Sequence, residues 1–140
     1  MVHALREICR VLVQNGTLID LRPIAGSWAV EVVSARDRKH AGEVTDLPQG
    51  LADDEAANLA MAQAARDGLL AREREEIFPF CYYWDSPGDM RQYVEEEWSD
   101  FIRIEEAVWN NVRSIWAVAN ADARVRIQLN MLITRWSKLQ

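Results

Sequence analysis

The sequence of 140 residues has little cysteine and little histidine, with two residues of each. Cys9 and Cys81 cannot build a disulfide framework, and the apolar patterns around them predict two buried free thiols. His3 and His40 stand far apart, and neither belongs to a spacing of cysteine, histidine and aspartate that is typical of a zinc site. We therefore expect no metal site and assign no catalytic residue from these side chains.

The sequence also has no apolar run approaching roughly 18 residues and no basic leader followed by an apolar segment and a cleavage site. These two absences predict a cytoplasmic protein that does not enter a membrane. The 16 basic residues are outnumbered by 22 acidic ones, which gives a net charge of −6. Because a nucleic-acid binder needs a basic surface to displace counterions, we expect no nucleic-acid partner.

Hydrophobic residues make up 49% of the chain and charged residues 27%, a balance typical of a folded protein rather than a disordered one. At this length we expect a single domain over residues 1–140. The number of tryptophans, six, is unusually high. Six indole rings need apolar surface to pack against or a partner that covers them.

The amino-terminal part of the chain alternates helix and strand patterns. An apolar spacing of three and four residues predicts the first helix, and Asn15-Gly16 ends it, because glycine accepts the left-handed conformation after a helix. Pro23 separates two short strands, and a charged turn precedes a return strand that completes a hairpin. The predicted elements are a helix over 2–14, strands over 17–22, 27–34 and 40–47, a loop over 47–50 and a long helix over 52–75.

The carboxy-terminal part predicts a strand over 77–84, a helix capped by Ser86 with Pro87 in its first turn, a second helix and a long last strand over 123–136. Pro79 cannot donate a hydrogen bond to a neighbouring strand, so the first of these strands should lie at a sheet edge. The last strand alternates polar and apolar residues, which favours a central position with Val125, Ile127, Leu129, Met131 and Ile133 on its inward face. Together the elements predict an α+β fold with a mixed, mostly antiparallel sheet of about five strands and helices packed on it.

Residues 4–12 (Ala-Leu-Arg-Glu-Ile-Cys-Arg-Val-Leu), followed by Val-Gln-Asn-Gly-Thr-Leu-Ile-Asp, resemble class I S-adenosylmethionine-dependent methyltransferases. In that family an amphipathic helix ends in a glycine-containing turn and leads into the fifth strand of the sheet. The resemblance implies that 77–84 is the sixth strand. It also implies that 123–136 is the seventh strand, antiparallel and placed between the fifth and the sixth.

The cofactor-binding motif of that family is missing, since the six glycines are scattered and form no Gly-x-Gly-x-Gly turn. In the family this turn follows the first strand, so the chain resembles the carboxy-terminal half of a Rossmann-like methyltransferase without its cofactor half. The resemblance therefore implies that the chain alone binds no cofactor. A separate cofactor-binding chain is one partner that it leaves open.

A half-sheet of this kind would leave the outer edge of the 17–22 strand unpaired. Proteins cover exposed edges and large apolar patches, and the simplest cover is a second copy of the same chain related by a two-fold axis. We therefore expect a homodimer that forms through the 17–22 edge, the 2–14 helix or the 27–47 hairpin.

The strand over 77–84 supplies the candidate substrate-binding residues. Its even-numbered aromatic side chains share one face, and two arginines of the last strand are candidate contacts for an anion. In the resembled family this region helps to shape the substrate site, whereas the alternative interpretation is an ordinary core with surface arginines. The six candidate residues are Phe78, Phe80, Tyr82, Trp84, Arg124 and Arg126.

Asp20 is a second candidate, because functional groups of α/β sheets often follow the end of a strand. The alternative interpretation is a turn residue that pairs with Arg22. The consecutive Glu95, Glu96 and Glu97 are best interpreted as a solvated helix face.

Three functions remain open from the sequence. The first is a non-catalytic methyltransferase-like remnant that acts as a dimeric binding or interaction module. The second is the substrate-side part of a split or truncated methyltransferase. The third is a small-molecule-binding α+β domain with an aromatic pocket.

Overall fold

The computed structural model describes residues 2–139, so the single-domain prediction over 1–140 includes two terminal residues that lie outside the described part. The described helices are α1 (Val2–Val11), α2 (Pro48–Arg66), α3 (Pro87–Tyr93) and α4 (Glu106–Ala117), and a π-helical turn over Val94–Trp98 follows α3. The described strands are β1 (Thr17–Val33), β2 (Arg38–Glu43), β3 (Thr45–Asp46), β4 (Leu70–Trp84), β5 (Ile102–Arg103) and β6 (Arg124–Lys138).

The main sheet has four antiparallel strands in the order β2-β1-β6-β4, and β3 and β5 form a second sheet of two strands. This arrangement confirms the predicted α+β class. The central position of β6 and the edge position of β4 are also confirmed, and Pro79 is accommodated at that edge. The β1-β6-β4 order is the one that the methyltransferase resemblance implies for its fifth, seventh and sixth strands.

One long strand replaces the two short strands that were predicted before the hairpin. β1 continues through Pro23, and the irregularity falls later, at Gly26 and Ser27, whose φ angles of 97° and 54° are positive. The prediction that Pro23 closes a strand is therefore wrong. The hairpin itself is confirmed, since β2 pairs antiparallel with β1 from Ala29 to Val33.

The long helix predicted over 52–75 is wrong at both ends. α2 begins at Pro48, in a segment predicted as a loop, because proline suits the first turn of a helix. The helix stops at Arg66, and Gly68 takes a left-handed φ of 69° before β4 begins at Leu70. Pairing in the sheet overrides the helix-favouring composition of 71–76, where Glu73 accepts from Arg135 of β6 at 2.9 Å.

The short helix α3 begins as its sequence predicts. Ser86 is its N-cap, and the backbone N–H of Asp89 donates to the Ser86 hydroxyl at 3.1 Å. Pro87 occupies the first turn, where its missing N–H leaves no hydrogen bond unmade.

The described chain divides into two compact units. The first unit contains 2–24, 52–78 and 131–139, and the second contains 25–51 and 79–130. The core of the first unit is formed by apolar residues of α1, α2, β4 and β6, namely Leu5, Cys9, Ala60, Met61, Ala64, Leu70 and Trp136. Cys9 is buried as predicted, whereas Cys81 of the second unit is half-buried.

The core of the second unit depends on close contact between α4 and β2. Trp109 and Val112 of α4 are buried, and Asn111 donates to the carbonyl of Ala41 at 2.9 Å. Gly42 allows the approach, because a Cβ atom there would lie 2.7 Å from a methyl group of Val108.

The buried side of β6 changes along its length. Val125, Ile127 and Leu129 are buried as predicted, but further along the strand the buried residues are Thr134 and Trp136. The predicted inward positions of 131 and 133 are therefore wrong in the first unit, where both side chains are only half-buried.

Candidate functional site

The aromatic residues of β4 share a face in the second unit. The ring centroids of Phe80 and Tyr82 lie 5.1 Å apart, and those of Tyr82 and Trp84 lie 6.2 Å apart. The indole of Trp98 extends this cluster, 5.0 Å from Tyr82 and 6.0 Å from Trp84. Phe80 is 41% exposed, and Phe78 in the first unit is half-buried. Ligand binding at these rings stays a prediction.

The two candidate arginines contact a different ring. Arg124 and Arg126 lie over Tyr83, at 5.1 Å and 5.8 Å from its centroid. Side chains alternate along a strand, so Tyr83 faces away from the side of β4 that carries Tyr82 and Trp84. The structure therefore brings the arginines together on Tyr83 and does not bring them to the other aromatic side chains.

Arg126 belongs to a buried ion pair, and its guanidinium group makes its hydrogen bonds within the protein. Its Nε donates to Glu31, which is only 4% exposed, at 2.6 Å, and its other nitrogens donate to Tyr83 and Gln128. Arg38 is a second cation beside Glu31, at 3.3 Å. Burial alone lowers the pKa of Arg126, but the hydrogen bonds to Tyr83 and Glu31 outweigh it, so the pKa is raised. All three guanidinium nitrogens are engaged, which is the pattern of a structural network.

A cleft of about 820 Å³ lies within the first unit, between α2 and the strands β1, β4 and β6. Small-molecule sites span about 300–1,000 Å³, so this volume is large enough for a ligand. Apolar side chains of Met61, Leu132 and Leu139 form part of its wall. The polar side chains that line it are Asp20, Arg22, Asn58, Arg66, Arg72, Glu75, Thr134 and Trp136.

Asp20 is the fourth residue of β1 and does not end the strand, which continues to Val33. Its Oδ1 accepts from Nε of Arg22 at 2.9 Å, so the predicted pairing with Arg22 is confirmed, whereas the predicted turn at Asp20 is wrong. Arg22 also donates to the side-chain carbonyl of Asn58 at 3.0 Å. The other oxygen of Asp20, Oδ2, is buried and has no hydrogen-bond partner.

Trp136 supplies the second unpaired atom of the cleft. Its side chain is packed in the core of the first unit, and the residue is 7% exposed. Its indole Nε1 is buried without an acceptor. Next to it along the same side of β6, the hydroxyl of Thr134 donates to Glu75 at 3.3 Å.

Unpaired buried groups of this kind are costly, at about 1–3 kcal/mol each. Among residues 2–139, Asp20 Oδ2 and Trp136 Nε1 are the buried side-chain atoms without a partner, and both residues line the same cleft. The first is an acceptor and the second is a donor. Both atoms are closed to solvent although the cleft is open, so they belong to the packing beneath its wall and not to the surface that a ligand would touch.

The sequence alone did not single out Trp136, Thr134 or Asn58. Tertiary packing decides which side of α2 faces the cleft and where the buried side of β6 changes. The alternation of polar and apolar residues in the sequence does not reveal either. Asp20 was singled out, although for a strand end that does not exist.

Several other features of the described residues limit the chemistry. His3 and His40 are exposed, and no group of histidine, cysteine or acidic side chains in the described range could hold a metal ion. None of the helices described over 2–139 combines the length and the apolar character needed to cross a membrane. Comparison with family models, with curated proteins and with solved structures finds no match.

Proposed function

We propose that the chain is a non-catalytic, methyltransferase-like binding module that takes a small molecule in the cleft of its first unit. The observation that carries this proposal is the cleft of about 820 Å³, whose wall combines apolar side chains with the ion-paired side chains of Asp20, Arg22 and Glu75. Small-molecule sites are concave and combine a mostly apolar wall with a few polar groups, and this cleft has that composition. A cytoplasmic location is part of the proposal, since free thiols suit a reducing compartment.

Absence of catalysis is proposed from the sequence. The sequence lacks the glycine-rich turn that would hold S-adenosylmethionine, and neither histidine is placed beside a nucleophile in it. Calorimetric titration of the purified chain with S-adenosylmethionine should therefore give no binding heat. Saturable heat would overturn the non-catalytic part of the proposal.

Binding in the cleft can be tested through the indole N–H signals in a nitrogen-15 spectrum. Trp136→Phe identifies the Trp136 signal by its loss. Titration with a set of small amphipathic molecules should move this signal together with the backbone signals of Asn58 and Thr134. The indole signals of Trp84 and Trp98 report the predicted aromatic site in the same spectra. If the molecules that bind move only those two signals, the cleft is not the site.

The substrate-side part of a split methyltransferase is the second candidate, and the β1-β6-β4 strand order favours it. In this case a separate chain would carry the glycine-rich turn. The test is coexpression with the product of a neighbouring reading frame that has such a turn. Binding heat with S-adenosylmethionine should then be measured for the complex and be absent for each chain alone.

We propose that the module is a homodimer that covers the outward side of β1. Ile19 and Leu21 on that side are each about half exposed, at 51% and 52%. Light scattering should give the mass of two chains, and Leu21→Lys should give the mass of one. Leu59→Lys, at a 58% exposed position of α2, is the matched control and should leave the mass unchanged. A mass of one chain for the unmodified protein at micromolar concentration would contradict the dimer.

A further inference from the structure

We infer that an aromatic patch of the second unit is a docking surface for an extended, arginine-bearing segment of a partner protein. The patch consists of rings from β4, from the end of α3 and from the π-helical turn, namely Phe80, Tyr82, Trp84, Tyr93 and Trp98. It lies apart from the cleft in the sequence and in the division into units, so the inference goes beyond the proposed function and does not depend on it.

The aromatic patch is continuous and partly open to solvent. The ring centroids of Phe80 and Tyr82 lie 5.1 Å apart, and those of Trp84 and Tyr93 lie 5.5 Å apart. Phe80 and Tyr93 are exposed and the other rings of the patch are half-buried, whereas Trp109 of the same unit is buried. Contiguous exposed apolar surface marks interaction sites, and tyrosine and tryptophan are enriched among the residues that carry binding energy.

The π-helical turn brings Trp98 to this surface. In an α-helix, residues five apart lie on different sides, because the helix turns once in about 3.6 residues. In a π-helical turn the backbone hydrogen bonds join residues five apart, and the ring centroids of Tyr93 and Trp98 lie 5.3 Å apart. Such turns are rare and are frequent at functional sites, so this turn supports a function for the rings that it brings together.

The unpaired charges next to the aromatic patch are negative. Glu97 and Asp100, on either side of Trp98 in the chain, are exposed and belong to none of the ion pairs of the described residues. The arginine side chains that lie over rings in the described part of the chain contact Tyr83 and Trp109, which are outside the patch. A cationic partner therefore complements both the acidic side chains and the ring faces of the patch.

The spacing of the rings favours a planar cation. The ring planes of Tyr82 and Trp84 are 21° apart, and their centroids are separated by 6.2 Å. A group held between two rings needs roughly 7 Å, because each carbon–carbon contact takes about 3.5 Å. A trimethylammonium group, which aromatic rings bind by enclosing it, has no such space between these two rings. A guanidinium group can stack on a single ring face and also donate to a carboxylate such as that of Glu97.

The position of β4 favours an extended segment. In the described sheet β4 has β6 on one side and no strand on the other, so the backbone of 80–84 lies at an open edge. A segment that adds to this edge repeats its side chains every two residues, as the rings of β4 do. Main-chain hydrogen bonds then supply affinity, and the rings and acidic side chains select arginine.

A peptide of about ten residues that alternates arginine with threonine tests the inference, since this is the length of a long strand. Matched peptides carry lysine or the neutral isostere citrulline in place of arginine. Each peptide is titrated against the nitrogen-15-labelled full chain, and the dissociation constant is read from the indole signal of Trp98, which Trp98→Phe identifies by its loss. We expect the arginine peptide to bind roughly tenfold more tightly than either matched peptide. A lysine or citrulline peptide that binds as tightly, or an arginine peptide that leaves the signal unmoved, would overturn the inference.

Two pairs of variants separate the patch from the overall negative charge of the chain. Phe80→Ala should weaken the arginine peptide roughly tenfold, and Leu59→Ala, at an exposed apolar position of the first unit, should not. Glu97→Gln should weaken it roughly fivefold. Glu55→Gln makes the same change in net charge at an exposed position of α2 and should leave the dissociation constant unchanged. Equal effects of the two glutamine variants would show attraction to net charge alone and would contradict the inference.

Two N-methylated versions of the arginine peptide test the addition of a strand to β4. In an extended peptide alternate backbone N–H groups point to opposite edges, so methyl groups on the arginine nitrogens block one edge and those on the threonine nitrogens block the other. One version should lose binding by roughly tenfold or more and the other should retain it, because one edge alone faces β4. Equal affinities of the two versions would refute the extended docking mode. Titration of Phe80→Ala with the ligands of the cleft should match that of the unmodified chain, which keeps this result separate from the proposed function.

Discussion

The two units of the molecule differ in whether their buried polar groups have hydrogen-bond partners. In the second unit, Glu31 and Arg126 are buried as a pair whose hydrogen-bonding groups are engaged. In the first unit, Asp20 and Trp136 each leave one buried atom without a partner. The difference separates a fully paired polar network from two polar groups that the packing leaves unpaired, although both are built on β1 and β6.

The largest effect should come from breaking the buried pair of the second unit. Arg126→Met leaves the buried Glu31 with the exposed Arg38 as its remaining cation and should lower the free energy of unfolding by about 2–3 kcal/mol, measured by urea denaturation. Arg135→Met in the first unit removes an arginine from a half-exposed pair with Glu73 and should cost less than about 1 kcal/mol. Equal losses in the two variants would remove the distinction between the units.

The next effect tests the tight packing of the second unit. Gly42→Ala places a methyl group 2.7 Å from a Val108 methyl group, and overpacking of this kind should cost about 2 kcal/mol. Adding Val108→Ala should recover part of that loss, because the clashing methyl groups are gone. The measurement is again the free energy of unfolding, and a double variant no more stable than Gly42→Ala would contradict the steric explanation.

A matched pair of substitutions compares the units directly. Trp136→Phe removes an unpaired buried donor, which stabilises the fold, and part of a buried ring, which destabilises it. Because the two effects oppose each other, the free energy of unfolding should fall by about 1 kcal/mol or less. Trp109→Phe, in the core of the second unit beneath Arg91, should cost about 2 kcal/mol. Thermal unfolding of both variants checks the order, and a larger loss at Trp136 would show that its N–H is not a liability.

The smallest effect concerns the exposed ion pairs of α4. Hydrogen bonds from Arg113 and then Arg91 lower the pKa of Glu106. Because the pKa is lower in the folded chain, this stabilisation is present above about pH 4.3 and is lost as the pH falls through the lowered pKa. Glu106→Gln should therefore reduce Tm slightly at neutral pH and not at strongly acidic pH. Glu97→Gln, outside the ion pairs of the described residues, should show no such pH dependence.

The sequence was most informative where local chemistry decides the structure. The alternation within 123–136 predicted a long central strand, Pro79 predicted an edge, and the serine and proline at 86 and 87 predicted a helix start. Each of these depends on hydrogen bonds that a residue can or cannot make by itself.

The sequence was least informative where distant parts of the chain compete. The end of α2 and the start of β4 depend on pairing with β6, which outweighs the helical preference of 71–76. The cleft depends on which side of β6 is buried, and that side changes along the strand. Asp20 was found by its place in a strand pattern, but its open oxygen could be recognised only from the packed structure.

The carboxyl end of α1 is held by the last described part of β6. The ammonium of Lys138 donates to the carbonyl of Leu12 at 2.7 Å, and its backbone N–H donates to Gly16 at 2.9 Å, across 126 residues in the first case. Contacts of such long sequence separation form late, because the chain entropy of closing the loop must be lost before they add stability. The first helix should therefore acquire its final protection from hydrogen exchange only when β6 has docked, and folding of the first unit should be slow for a chain of this size.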